Sequence, residues 1–236
     1  MERKLEALVQ DLQHLFAGDL LAVFLYGSAA AGEHVPEHSD INVGVVLRHV
    51  RSDGLRKASA RIRAWQRLGL ATPVFMDTDF LRGALDAFPI EFQDMRDRHR
   101  MLFGPDLLAD LQISEHHLRR QCEQELRGKL LKLRQTYVES AHNPEGLGAV
   151  LMLAIPSIVV LARTLLLLTH NDNSGTTEAI LLRARDSLHL TTTALTTAWK
   201  MKRGEVRRTG SELDRLYQDV MEETEQLVRF TDAQKN

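Results

Sequence analysis

The sequence predicts an α+β protein: an N-terminal mixed sheet with flanking helices, followed by an all-α helical bundle. Two observations carry this. Up to about residue 112, short β-branched or apolar runs alternate with helix-period segments. After that point the strand signal stops and helical patterns follow one another to the end of the chain. We therefore expect one domain over residues 1–112 and a second over 113–236.

In the first part, residues 2–17 place Leu5, Leu8, Val9, Leu12 and Leu15 at helical spacing. Leu20–Tyr26 (LLAVFLY) is an apolar run ending at Gly27, read as a buried strand closed by a sharp turn. Ile41–Leu47 (INVGVVL) is β-branched and reads as a second strand. Ser52 is expected to cap a helix running to about Leu68 and ended by Gly69, with Leu55, Ala58, Ile62 and Trp65 on one face. Ala71–Met76 reads as a third strand, with Pro73 marking an edge position. A short helix is expected from Thr78, a fourth strand at Pro89–Phe92, and an extended piece at Met101–Phe103.

In the second part, Ser114 opens a long helix to about Ala141, stopped by Asn143-Pro144. Ala149–Leu168 (AVLMLAIPSIVVLARTLLLL) is nearly all apolar and as long as a bilayer is thick. Pro156, Ser157, Arg163 and Thr164 interrupt it, and a helix buried on every side of a bundle has the same apolar character; the bundle reading is preferred. Helices are expected at 177–187, 191–202 and 211–230, the last with Asp214, Glu222, Glu223 and Glu225 on a solvent face.

Composition sets outer bounds on function. Thirty basic against thirty-two acidic residues give a net charge of −2, which supplies no global drive toward nucleic acid or anionic membranes. Aromatic residues are 6%, too few for a stacking platform, so nucleic acid is not an expected partner. Cys122 is the only cysteine, which excludes an intramolecular disulfide framework and fits a reducing, cytoplasmic setting. Residues 1–16 lack the apolar core of a signal peptide.

The segment that carries chemistry is Leu25-Tyr26-Gly27-Ser28, then eleven residues, then Asp40-Ile41-Asn42. At Gly27 a missing side chain lets backbone approach a ligand. Ser28 and the small residues Ala29–Ala31 can open a helix whose N–H groups face an anion. Asp40 and Asn42 are two apart on a strand, so both face one side. A phosphate-binding turn beside two oxygen ligands suits a divalent cation bridged to nucleotide phosphates.

On these residues the chain resembles the nucleotidyltransferase superfamily of DNA polymerase β-like fold. Its overall layout is similar to that of the aminoglycoside nucleotidyltransferases, with a catalytic domain before a helical bundle. The resemblance implies transfer of a nucleoside monophosphate from a nucleoside triphosphate (NTP) to an acceptor hydroxyl, with Mg²⁺ and release of pyrophosphate. It places Gly27 and Ser28 on the triphosphate and Asp40 and Asn42 on the metal. The family's general base, a glutamate on the first bundle helix, corresponds here to Glu125 or Glu123. An ordinary charged helix face is the alternative for both.

Three positions depart from the family pattern. Asn42 stands in place of the second carboxylate and brings no charge. Ala31 stands where many members carry arginine, and Pro73 lies near where the third carboxylate is expected. Asp77 or Glu91 could substitute; on a strand Glu91 would face away from Ile90 and Phe92, toward a cleft or solvent. The alternative to an active transferase is therefore a degenerate nucleotide-binding or regulatory module. A third reading gives the bundle a role in assembly of a homodimer.

Other polar groups are weaker candidates. Arg96, Arg98, His99 and Arg100 could meet a triphosphate or form a solvated surface, and the KMKRGEVRR segment (200–208) reads as a basic turn. His34 and His38, separated by Pro36, read as loop histidines.

Overall fold

A computed structural model describes residues 1–34 and 41–234. The chain divides into two compact units, Met1–Ser114 and Glu115–Asn236.

The first unit contains α1 (Glu2–Phe16), β1 (Leu20–Tyr26), β2 (Asn42–Leu47), α2 (Ser52–Ser59), α3 (Ile62–Arg67), β3 (Val74–Asp77), α4 (Thr78–Gly83), α5 (Pro89–Asp97) and β4 (His99–Phe103). Among the described residues the sheet has the order β3-β2-β1-β4. β1 runs antiparallel to both β2 and β4, and β2 runs parallel to β3, so the sheet is mixed. Both faces of β1 are covered. Val23 and Leu25 join Leu5, Leu8, Leu12 and Trp65 in one core, while Ala22 and Phe24 join Met76, Leu81, Phe92 and Leu108 in another. That is why the strand reads as an unbroken apolar run instead of alternating. The Phe24 ring lies over the bare Cα of its cross-strand partner Gly44, where a side chain would collide with it.

Two expectations are corrected here. The helix expected from Ser52 to Leu68 is broken into α2 and α3, and Arg51 rather than Ser52 occupies the cap position. Arg61, at the break, binds Asp11 of α1 with Nη2–Oδ2 2.7 Å, and Trp65 Nε1 donates to the same carboxylate at 2.9 Å. The strand expected over Pro89–Phe92 is the start of α5. Proline at the first helical position costs no hydrogen bond and has its φ already set, so Pro89 starts a helix instead of marking a strand. The short strand anticipated near 101–103 begins earlier, at His99, and forms the sheet's edge.

The second unit is helical: α6 (Glu115–Ser140), α7 (Pro144–His170), α8 (Thr177–Ser187), α9 (Thr193–Lys202) and α10 (Ser211–Ala233). The apolar helix α7 packs against all four others. It is long and apolar enough to cross a membrane, and more than half of its most apolar stretch is buried within the protein. Asn143 caps its start by accepting from Gly146 N at 3.0 Å, and Asn171, in a left-handed conformation, ends it. Buried Arg163 donates Nη1 to the carbonyls of Asn173 and Gly175 in the loop that follows. Glu223, expected on a solvent face of α10, is 4% exposed. Its two oxygens accept from Ala194 N (2.9 Å) and Leu195 N (2.8 Å) and so cap the first turn of α9 from a neighbouring helix.

Candidate functional site

The site forms where β1 ends. Gly27 has φ +71°, in the left-handed region that glycine enters without steric cost. A Cβ added there would lie 3.3 Å from Asn42 Nδ2. This juxtaposition follows from strand register: Tyr26 pairs with Asn42 on β2 and with His99 on β4. The glycine turn and the motif asparagine, fifteen positions apart in sequence, are thus brought together at one end of the sheet.

The helix expected from Ser28 is a single 3-10 turn, Gly27–Ala29. Ala30 N and Ala31 N both donate to Gly27 O at 3.1 Å, and Glu33 N donates to Ser28 O at 2.8 Å. Gly32 (φ +75°) then turns the chain away, so the aligned dipoles of a longer helix are not built. Asp40 lies outside the described residues. Asn42 is the first residue of β2 and is half-buried.

Within the first unit, strand register sets Asp77 apart from Asn42. β3 pairs with β2 from Gly44↔Val74 to Leu47↔Asp77. Asp77 therefore faces the far end of β2, about 16 Å along the strand from Asn42 at ~3.3 Å per residue. Its carboxylate caps α4, accepting from Phe80 N at 2.9 Å, and also accepts from Val50 N at 3.4 Å. The bond from Phe80 is the main reason its pKa is lowered. The chain leading into β3, nearest Asn42, carries Thr72 and buried Pro73 instead of an acid. Glu91 sits exposed in the first turn of α5, so the strand argument for aiming it at a cleft does not hold. Glu125 lies half-buried on α6 of the second unit, and its neighbour Glu123 pairs with Arg127 at 3.2 Å in the (i, i+4) manner of a charged helix face. Cys122, on the same helix, is buried, and desolvation pushes its thiol up to about 12, which leaves it unreactive.

Among the described residues no three His, Cys, Asp or Glu side chains are grouped to hold a metal ion. Among the described residues, the side chain nearest the Gly27 backbone is the neutral Asn42, which by itself does not fit the two or three carboxylates a Mg²⁺–triphosphate centre of this kind uses.

The members of the basic cluster are paired within the unit, Arg98 and His99 largely withdrawn from solvent and Arg100 exposed. Arg96 donates to Leu111 O at 2.9 Å, and Arg100 forms a two-pronged pair with Glu2, each contact 3.1 Å. His99 bridges Arg96 O (2.9 Å) and Asp106 Oδ2 (3.1 Å). Arg98 meets Asp94 and the turn residue Glu33. Sequence reasoning missed Glu33 and Asp94, because each is an ordinary surface-type acid until the fold sets both against one arginine.

No protein-family model matches the sequence, and no curated protein is similar to it at a significant level. Among solved structures the chain is similar to the spectinomycin adenyltransferase AAD(9) from Enterococcus faecialis, solved with ATP and spectinomycin. The TM-score is 0.62 at 11% identity, over 95% of this chain and 99% of that one. The fold is nucleotidyltransferase-like. It is the α+β architecture expected from the sequence, with a mixed sheet followed by a helical region.

Proposed function

We propose that this protein binds a nucleoside triphosphate through its phosphates at the Gly27–Ala29 turn, as a nucleotide-binding module of nucleotidyltransferase type with an incomplete metal site. The observation that carries this is the register of β3, which sets Thr72 and Pro73 near Asn42 and leaves Asp77 at the opposite end as a helix cap. The turn keeps the left-handed glycine that lets backbone approach a phosphate, while the carboxylates that would hold a metal are reduced to Asp40.

A second reading is favoured by the likeness to an adenyltransferase solved with both ATP and an acceptor. In it, a nucleoside monophosphate passes to an acceptor hydroxyl with release of pyrophosphate. Asp40 and Asn42 are the Mg²⁺ ligands and Glu125 is the base. One set of titrations separates the two. Each of the four NTPs is titrated calorimetrically into the protein with Mg²⁺ and then with EDTA, and pyrophosphate release is followed in parallel. Binding that survives EDTA without pyrophosphate release supports the first reading. Mg²⁺-dependent pyrophosphate release that disappears in Asp40→Ala replaces it with the second. The Asn42→Asp variant, which restores a carboxylate, should make binding more sensitive to EDTA. If no NTP binds under either condition, both readings fall.

A further inference from the structure

The turn from Gly27 to Glu33 contains no cation of its own, since its sequence is Gly-Ser-Ala-Ala-Ala-Gly-Glu. One is delivered from elsewhere. Arg98 sits at the junction of α5 and β4, with its side chain only 15% exposed. Its Nε donates to Asp94 Oδ1 at 2.8 Å, and Nη2 meets the same oxygen. Its Nη1 lies 4.0 Å from Glu33 Oε2, and the Glu33 side chain is 5% exposed. Glu33 in turn ties back to the turn through its N–H, which donates to Ser28 O. On the other side of the turn, Tyr26 immediately precedes Gly27 and lies close enough to Asp94 to feel its charge. Burial first, and then Asp94, hold the Tyr26 hydroxyl above its ordinary range.

We propose that Arg98 is a positioning residue for the candidate phosphate turn: held by Asp94, it clamps Glu33 and thereby fixes the Ser28–Glu33 backbone on which nucleotide phosphates would rest. The inference deepens the nucleotide-binding reading and rests on it for its functional meaning. The clamp itself is a property of the ligand-free protein. A guanidinium suits this role because its planar fork can meet two carboxylates from different edges, whereas a lysine ammonium offers one point of charge. Both acids are largely withdrawn from water, where attraction across 4 Å is much stronger than at the surface.

The test uses Glu33→Gln, Arg98→Lys and the double variant in the full-length chain. These changes avoid leaving two buried carboxylates without a cation, which would threaten folding. Backbone amide hydrogen exchange is read peptide by peptide without nucleotide, and ATP binding is titrated separately. We expect exchange over residues 27–34 to speed up by about tenfold or more in either single variant, as weakening a charge pair largely withdrawn from water predicts. Peptides from β1 and β4 should be unchanged, and the double variant should be no faster than the singles. ATP affinity should fall by a similar factor. Unchanged exchange over 27–34 overturns the clamp. Faster exchange across the whole first unit also overturns it, because Arg98 would then serve general stability. Faster exchange confined to 27–34, in a protein that binds no ATP, keeps the clamp and removes the nucleotide reading.

Discussion

Replacing Gly27 by alanine tests the candidate site most directly. The backbone there has φ +71°, and an L-residue in this region costs about 1–2 kcal/mol. The new Cβ would also lie 3.3 Å from Asn42 Nδ2, so the asparagine amide must give way by a fraction of an ångström. Both effects act on the two groups the phosphate-binding proposal uses. At about 4–8 °C per kcal/mol for a domain of 60–100 residues, the strain alone lowers Tm by roughly 4–16 °C, toward the small end for this slightly larger unit. ATP affinity should fall by about tenfold or more, equivalent to ~1.4 kcal/mol, because the backbone that would approach the phosphates is displaced. Differential scanning calorimetry reads the first quantity and isothermal titration the second. A variant that loses stability yet binds ATP as tightly as the parent would show that the turn is not the phosphate site. A variant with unchanged Tm would refute the strain argument itself.

Further outcomes follow from the structures of the two units. Asp77→Ala should cost about 1 kcal/mol through loss of the α4 cap and leave nucleotide binding and any pyrophosphate release unchanged; a selective loss of either activity would return Asp77 to the site. In the bundle, Gly128→Ala should stabilise by about 0.5–1 kcal/mol, since it lies within α6 with open space around it. Gly148→Ala should instead destabilise by about 1–3 kcal/mol, as its Cβ would approach Leu213 of α10 at 3.0 Å; urea unfolding distinguishes the signs. Glu223→Ala strands two buried N–H groups at the start of α9 and should cost roughly 2–4 kcal/mol. Burial raises the Glu223 carboxyl above its ordinary value of 4.5 despite those bonds, so the folded state takes up a proton more readily than the unfolded chain. The Glu223 contribution is then greatest below 4.5 and is lost as pH rises through the folded value. Wild type should accordingly gain stability relative to Glu223→Gln as pH is lowered from neutral toward 4.5, and a difference that stays flat would contradict the raised value.

Local chemistry explains which parts of this protein could be read in advance. The β1 run, the Gly27 turn, the β2 motif strand and the long bundle helices are each set by neighbours a few residues apart, through burial pattern, glycine conformation and capping. Pro89 was ambiguous because proline is at home both before a strand and at the first turn of a helix, and residues 89–92 are too few to separate the two periods. Ser52 failed as a cap, and the helix after it broke at Arg61, whose partner Asp11 lies fifty positions earlier.

The sequence by itself determined the α+β class and the presence of a glycine turn followed by Asp40 and Asn42, because short-range patterning fixes both. It also determined that Asn42 brings no charge. Tertiary structure alone decided where the other polar groups are used. Strand register took Asp77 away from Asn42 and spent it on a helix cap. Packing of α9 on α10 buried Glu223, and the α5–β4 junction carried Arg98 to a turn sixty-five positions earlier in the chain. These outcomes rest on pairings between distant residues, and an acid or arginine carries no local sign of the partner it will meet. The burial that makes such a pairing strong exists only once the fold has closed around it.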